Sequence, residues 1–298
     1  MLWLIITIIA YLFGAVTHLF DKYLLKKTMM PNPGALTFYI GALGVLGLAL
    51  APWGFALISY SQIALDLFSG IVYLTAILLF FYALNKADVS QVASLIGGLT
   101  PLFILLGGFL FSSQMLNSAQ LVAFALIVSG SFIIGLEKRR GHLLAKNVLW
   151  LCALSALLFS CAHLLSQFIY QQQGFINGFI WVRLGGVLGA LLLLLLPQVK
   201  KSIVKDFKKP SQGKALVFMA GQTCGALNFI LFNYAFTLGP LALISALGGL
   251  QYVFLFLMVL FLSWKMPQVI KEKITTRIIL QKSISIALIA IGIGILAS

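Results

Sequence analysis

Residues Tyr82 to Pro101 have the sequence YALNKADVSQVASLIGGLTP, and a related stretch begins at Tyr234 with the sequence YAFTLGPLALISALGGL. In each copy an apolar run ends in a short turn, of polar residues or of Gly-Pro, and a second apolar run follows. This pattern predicts two helices joined by a tight turn. The repetition of such a hairpin predicts that the fold consists of two related halves.

The composition places the chain in the membrane class of proteins. Of the 298 residues, 61% are hydrophobic and 9% are charged, and the mean hydropathy is +1.08. A soluble domain carries about 25% charged residues, so this chain cannot cover a water-facing surface of its size. The net charge of +14 does not indicate a nucleic-acid partner, because the basic residues lie in short loops between apolar runs.

The apolar runs predict an all-α polytopic fold of ten transmembrane helices, since a span needs about 20 apolar residues. The first run has no basic leader before Lys22, so we expect a retained span and not a removed signal peptide. The predicted domains are a first five-helix repeat at 1–137, a cytoplasmic linker at 138–146 and a second five-helix repeat at 147–298. The ten predicted spans cover residues 2–21, 34–53, 66–84, 88–111, 118–136, 147–170, 175–196, 215–237, 240–262 and 278–297.

The basic residues predict the orientation of the chain in the membrane. In the ten-span topology every Lys and Arg except Arg183 falls on the side that holds residues 22–33. The positive-inside rule assigns that side to the cytoplasm. We therefore predict a multi-pass protein of the plasma (inner) membrane with both termini on the extracytoplasmic side.

The internal repeat extends well beyond the opening hairpin. His18 in the first span matches His163 in the sixth, Gly44–Gly47 matches Gly186–Gly189, and Gly130 matches Gly292. Because five spans is an odd number, the second half is predicted to be inverted relative to the first. Inverted repeats are typical of transporters that work by alternating access, although duplicated helices can also serve as a scaffold alone.

These features together resemble the drug/metabolite transporter superfamily, EamA type. The resemblance rests on two five-span halves, on Tyr82-Ala83-Leu84, on Gly97-Gly98-Leu99-Thr100-Pro101 and on the late glycines Gly130 and Gly292. It implies a central cavity formed by spans 1, 3, 4, 6, 8 and 9. The loops after the second and fourth spans lack the basic residues usual in this family, which implies the opposite orientation to typical relatives.

Arg183 is the outstanding candidate for substrate binding. It lies about eight residues into the seventh span, and a charged residue at such depth usually faces a cavity. Arginine can bind a substrate carboxylate or phosphate with two hydrogen bonds; the alternative is satisfaction by backbone carbonyls or by snorkelling. We expect all six acidic residues to lie at span ends or in loops, namely Asp21, Asp66, Asp88, Glu137, Asp206 and Glu272.

The remaining candidates are uncharged residues in the predicted spans. Polar side chains expected to line a hydrogen-bonding cavity are Gln222, Asn228, Asn233, Gln251, Tyr252, Tyr73 and Ser94. Each of them could instead make ordinary interhelical hydrogen bonds. His18 and His163 are candidates for proton-linked gating, or packing histidines kept from an ancestral half. Gly97, Gly98, Gly248 and Gly249 are candidates for a bending gate.

The sequence therefore predicts a transporter of a small organic metabolite, either amino-acid-like or another amphiphilic or anionic solute. A carrier or flippase for a lipid-linked or nucleotide-linked sugar is the alternative, and a non-transporting scaffold or receptor is the alternative of another class. No catalytic residue, cofactor or metal site is expected, since the three cysteines lie in apolar runs without ligand spacing. The expected partners are the small-molecule substrate and the lipid bilayer, and the chain is expected to be a monomer or homodimer.

Overall fold

A computed structural model of the chain describes residues 2–25, 32–87, 89–111, 116–135, 145–207, 212–265 and 276–297. All regular elements in these ranges are helical. The helices are α1 (Leu2–Leu25), α2 (Pro33–Ala42), the 3₁₀ helix η1 (Leu43–Trp53), α3 (Tyr60–Leu84), α4 (Val89–Phe111), α5 (Ser118–Gly135), α6 (Lys146–Gln173), α7 (Phe175–Leu193), α8 (Pro197–Phe207), α9 (Gln212–Ala235), α10 (Leu241–Ala246), α11 (Gly249–Lys265) and α12 (Thr276–Ala297).

The chain is a multi-pass membrane protein. Within the described ranges, seven helical runs are long and apolar enough to cross a membrane, and two shorter apolar helices cover Leu95–Leu110 and Ser118–Ile133. The seven runs are Leu2–Phe20, Pro33–Trp53, Tyr60–Leu84, Lys146–Gln173, Phe175–Leu193, Leu241–Phe261 and Leu280–Ala297. Helices suit this environment because each closes its backbone hydrogen bonds within itself.

The helices form two compact units, each of which takes segments from both halves of the sequence. The first unit holds residues 1–23, 89–143 and 217–298, and therefore α1, α4, α5, α10, α11, α12 and most of α9. The second unit holds residues 24–88 and 144–216, and therefore α2, η1, α3, α6, α7 and α8.

Small residues allow close helix packing in the second unit. An added Cβ at Gly70 would strike the Val182 carbonyl oxygen, and one at Gly185 would strike the Leu67 carbonyl oxygen. An added Cβ at Gly189 would lie 3.7 Å from the Ile71 Cα, so residues 67 and 71 of α3 meet residues 185 and 189 of α7 in the same order. The two helices are therefore parallel and pack at backbone-contact distance. Such contacts are typical of small-residue interfaces in membrane helices.

The second predicted span is not one α-helix, because it changes to a 3₁₀ helix at Leu43. Gly41, Gly44 and Gly47 recur every three residues, which is the number of residues in one 3₁₀ turn. All three face α7: an added Cβ would lie 2.9 Å from the Gly186 carbonyl oxygen, 2.8 Å from the Arg183 carbonyl oxygen and 3.3 Å from the Arg183 Cβ, respectively. The 3₁₀ geometry keeps this glycine row in one line against α7.

The short helix α8 is amphipathic and packs on the start of α2. Val199 and Ile203 are buried in a small cluster with Ala35, and Phe38 and Tyr39 pack against it. Asn32 caps α2, where its Oδ1 accepts hydrogen bonds from the backbone N–H groups of residues 34 and 35. The apolar face of α8 is thus occupied within its own unit, while Lys200 is exposed.

The third and ninth predicted spans also differ from expectation. The third helix begins at Tyr60 and not at residue 66, because Ser59 and Gln62 form a capping box in which Gln62 Oε1 accepts from the Ser59 N–H at 3.3 Å. The ninth is broken at Leu247 and Gly248, between α10 and α11. The break falls at the second Gly-Gly pair, whereas α4 continues through the first pair, Gly97 and Gly98.

Candidate functional site

Arg183 lies at the centre of a polar cluster in the second unit. It is the ninth residue of α7, roughly 12 Å along that helix at 1.5 Å per residue, and its side chain is half-buried. The guanidinium interacts electrostatically with Tyr73 of α3 and with Tyr170 of α6. A cation thus lies beside two phenol groups within a membrane-spanning helix, and its role in substrate binding stays a prediction.

His163 belongs to the same cluster through aromatic packing. Its ring centroid lies 6.0 Å from that of Tyr73 and 6.1 Å from that of Phe159. Tyr73 in turn packs edge-on against Phe159 at 5.5 Å. The predicted candidates Tyr73, His163 and Arg183 are therefore brought together by α3, α6 and α7.

Asp66 contradicts the expectation that the acidic residues lie at span ends or in loops. It is the seventh residue of α3, it is only 1% exposed, and its Oδ2 accepts a hydrogen bond from the Gln173 side-chain amide. Gln173 Oε1 accepts from Asn177 at 3.2 Å, and Asn177 Oδ1 accepts from the backbone N–H of Ala56 at 3.0 Å. The prediction was wrong because it began the helix at Asp66; the Ser59–Gln62 capping box is the signal that places this carboxyl inside.

A second polar cluster surrounds the helix break in the first unit. The break leaves carbonyl groups without helical partners, and hydroxyl groups from other helices bind two carbonyls there. Tyr11 of α1 donates to the Ile244 carbonyl oxygen at 3.0 Å. The Ser131 hydroxyl of α5 lies 3.3 Å from the Ala246 carbonyl oxygen and shares its one proton between that oxygen and the Ile127 carbonyl oxygen of its own helix at 2.7 Å. Irregular backbone at membrane depth requires such partners, so α1 and α5 stabilise the break.

Two amide side chains lie beside this break. An added Cβ at Gly14 would lie 2.9 Å from Gln251 Oε1 and 3.2 Å from Asn228 Nδ2, so both amides face the same glycine of α1. The Asn228 Oδ1 atom is buried and has no hydrogen-bond partner among the described residues. The candidates Asn228 and Gln251 are thus adjacent, and one acceptor there is unused.

The glycine pairs differ in how closely their neighbours approach. The phenol oxygen of Tyr252 lies 3.6 Å from the position of a Cβ on Gly97, and Phe132 packs 2.8 Å from that of Gly98. An added Cβ at Gly249 would strike Ser131 Oγ, whereas one at Gly248 would lie 3.6 Å from the Tyr11 hydroxyl oxygen. Glycine is therefore required at position 249 by close approach.

The remaining predicted site residues are Asn233, Gln222, His18 and Ser94. Asn233 is 3% exposed and donates to the Phe229 carbonyl oxygen of its own helix at 2.8 Å, which uses its amide in local packing. Gln222 on α9 and His18 on α1 are partly buried. The side chain of Ser94 lies outside the described part of the chain.

No group of three or more His, Cys, Asp or Glu side chains in the described ranges could hold a metal ion. Cys152 is buried, Cys224 is half-buried and Cys161 is exposed, all as free thiols. The chemistry of the two clusters is therefore that of hydrogen bonding and charge: a cation, a carboxyl, an imidazole and phenols in the second unit, and neutral amides, hydroxyls and backbone carbonyls in the first.

Comparisons with known proteins show what the chain is similar to. No match was found among curated proteins. A solved structure named only "Crystal structure of protein" matches with a TM-score of 0.68 and 18% identity, covering 97% of this chain and 92% of that one; this likeness concerns the fold. Residues 1–136 match the model of the EamA-like transporter family. The first half of the chain is thus similar to the EamA-like transporters, in agreement with the resemblance seen in the sequence.

Proposed function

We propose that the chain is a carrier that moves a small anionic or amphiphilic organic metabolite, such as an amino acid, by alternating access. The match of residues 1–136 to a transporter family supports the transport class. The observation that carries the substrate class is the half-buried guanidinium of Arg183, nine residues into α7 beside Tyr73 and Tyr170. An arginine in that setting favours a carboxylate or phosphate, which it binds with two hydrogen bonds.

The proposal includes ten spans in two inverted repeats. Reciprocal contacts support it. In the predicted repeat Gly41 corresponds to Arg183 and Gly44 to Gly186, and a Cβ at Gly41 would meet the Gly186 carbonyl oxygen while one at Gly44 would meet that of Arg183. Replacing each residue by its counterpart in the other half turns the contact of Gly41 with Gly186 into the contact of Arg183 with Gly44. A local two-fold relation between the halves requires such paired contacts.

The fifth and tenth predicted spans show the same reciprocity. A Cβ at Gly130 would lie 2.8 Å from the side chain of Ile289, and one at Gly292 would lie 2.6 Å from that of Ile127. The alignment of the repeats pairs Gly130 with Gly292 and Ile127 with Ile289. Corresponding residues thus contact each other in both directions along antiparallel helices, which supports an inverted duplication.

The proposed orientation has both termini on the extracytoplasmic side of the plasma membrane. It rests on the confinement of Lys and Arg to one side of the ten-span topology. A reporter that is active only in the cytoplasm, fused after Ser298, is expected to be inactive, and the same reporter in the 138–146 linker is expected to be active. The opposite pair of results would reverse the orientation.

Uptake into proteoliposomes tests the substrate class. We expect flux of at least one labelled solute from a panel of amino acids, organic acids and phosphorylated metabolites, after a first screen for thermal stabilisation by each solute. Flux of nucleotide-linked or lipid-linked sugars only would favour the sugar carrier. No flux and no stabilisation by any of these solutes would favour a scaffold.

Arg183→Lys tests the bidentate contact. Loss of a charged hydrogen bond costs about 1.5–3 kcal/mol, so we expect KM for the transported solute to rise roughly tenfold to a hundredfold. Lys200→Gln, at an exposed position of α8, is the matched control and should leave KM unchanged. An Arg183→Lys protein with normal KM would contradict the bidentate contact.

A further inference from the structure

Asp66 is the most unusual buried group in the second unit. Its side chain is 1% exposed, and a carboxyl in a membrane-spanning helix is costly to keep. Its Oδ2 accepts from the Gln173 amide, while its Oδ1 is buried and has no hydrogen-bond partner among the described residues. One of the two oxygens of this carboxyl is therefore available to bind a proton.

The hydrogen-bond chain beside Asp66 has a fixed direction. The Ala56 N–H donates to Asn177, Asn177 donates to Gln173, and Gln173 donates to Asp66. Each amide is thus held with its NH₂ group towards Asp66. This arrangement fixes the Oδ2 position and directs the unused Oδ1 away from the chain of amides.

An ionised Asp66 fits these surroundings poorly. Burial of a carboxylate with an oxygen unpaired costs several kcal/mol. Gln173 is also the last residue of α6, so the carboxyl lies near the end of that helix where the dipole is negative. A neutral carboxylic acid keeps the bond from Gln173 and needs no counter-ion.

We propose that Asp66 is a proton-binding site, whose carboxylate takes up one proton at Oδ1 and releases it during the transport cycle. Uptake converts the carboxylate to a carboxylic acid, and no other bond changes. The release step rests on the proposed transport function, whereas the uptake step does not. Among the described residues, Asp66 belongs to no group of three or more His, Cys, Asp or Glu side chains that could hold a metal ion.

The groups that face Asp66 explain how its proton could be linked to substrate. From α6, Tyr170 interacts electrostatically with Asp66, with Tyr73 and with Arg183. From α7, Arg183 is the charged side chain; from α2, Tyr39 packs on Phe38, and η1 carries no titratable residue. Tyr170 thus interacts with both Asp66 and Arg183, and the proposed link between substrate binding at Arg183 and the proton on Asp66 runs through this shared phenol.

Infrared difference spectroscopy of the reconstituted protein tests proton uptake without any substrate. Wild-type protein moved between alkaline and acid buffer should show the C=O stretch of a buried carboxylic acid, and Asp66→Asn should lack that band. Asp206→Asn, in the short helix α8, is the control and should keep it. Persistence of the band in Asp66→Asn would overturn the proposal, as would its absence from the wild-type protein over the whole pH range of stability.

Two further results keep the proposal open to refutation if Asp66→Asn folds poorly. Gln173→Leu removes the donor to Oδ2 and should shift the frequency of the band; an unchanged band would contradict the assignment to Asp66. Asparagine also mimics a protonated aspartate, so the unfolding midpoint of Asp66→Asn in acid buffer should equal that of the wild type. A lower midpoint would indicate an ionised structural carboxylate.

Coupling is then tested with the solute that the uptake panel identifies. An imposed pH gradient should drive accumulation by the wild type and by Asp206→Asn, but not by Asp66→Asn, whose residual flux should no longer depend on pH. Gradient-driven accumulation by Asp66→Asn would refute the release step. If no solute is transported, the proposed function fails while the infrared result still decides proton uptake.

Discussion

The helix pair α1–α9 in the first unit differs from the helix pair α6–α3 in the second in the side chains at one matched position. Extending the match of His18 with His163 and of Tyr82 with Tyr234 along the helices pairs Gly14 with Phe159 and Gly225 with Tyr73. In the second unit this position holds two rings 5.5 Å apart. In the first it holds two glycines, and the space at Gly14 is taken by the amides of Asn228 and Gln251.

The presence of rings in one unit and glycines in the other is accompanied by different polar groups nearby. The aromatic pair in the second unit surrounds groups that can carry charge, Arg183 and His163. The glycines of the first unit admit neutral amides beside a broken helix. In the proposed repeat the two helix pairs thus differ in chemistry, since one carries ionisable groups and the other neutral hydrogen-bonding groups, and this difference fits the proposed amphiphilic solute.

The largest expected effect is loss of the aromatic pair. Tyr73→Ala should lower the free energy of unfolding by about 3–5 kcal/mol, because an aromatic ring is removed from packed surroundings. Gly225→Ala is the matched change in the first unit; its Cβ would make an ordinary 3.4 Å contact with Thr17, so stability should change by less than about 1 kcal/mol. Unfolding in mixed micelles measures the change in the free energy of unfolding for both variants. Equal changes would contradict the difference in packing between the two units.

An intermediate effect is expected at the helix break. Gly249→Ala should destabilise the protein by about 1–3 kcal/mol through overpacking, because the new Cβ strikes Ser131 Oγ. Gly186→Ala, where no atom lies within 4 Å of the new Cβ, should be tolerated in the same assay. A tolerated Gly249→Ala would mean that the break can move without cost.

The smallest effect concerns the hydroxyl groups that bind the break. Tyr11→Phe removes the bond to the Ile244 carbonyl oxygen and should cost about 0.6–1.7 kcal/mol, the range measured for hydrogen bonds between membrane helices. Tyr60→Phe changes a phenol that is 92% exposed and should have no effect on the unfolding midpoint. If the two variants behave alike, the freed carbonyl finds another partner.

The all-helical membrane class followed from composition, because lipid leaves few options for the backbone. The capping box at Asn117 and Gln120 was also predictable, and Gln120 Oε1 accepts from the Asn117 N–H at 3.0 Å. Hydropathy alone did not predict the change to 3₁₀ geometry at Leu43 or the break at Leu247, since both keep the run apolar. These features depend on contacts with α7 and with Tyr11 and Ser131.

The candidate site was predicted in part. Arg183 was predictable because one charge in an apolar run is conspicuous, and Tyr73 and His163 were predicted and lie beside it. Asp66 was missed through an error in the start of one helix. Gln173 and Asn177 were missed because their roles come from contacts between distant segments, which no local pattern encodes.

The 3₁₀ geometry of η1 has a mechanical consequence. Its eleven residues extend about 22 Å at 2.0 Å per residue, whereas the same residues as an α-helix would extend about 16 Å. Rewinding η1 as an α-helix would therefore shorten this span by roughly one α-helical turn, and it would also rotate the glycines out of line with α7, because their three-residue spacing suits 3₁₀ geometry. The length of this span is therefore set by its helix type, because the same eleven residues are longer as a 3₁₀ helix than as an α-helix.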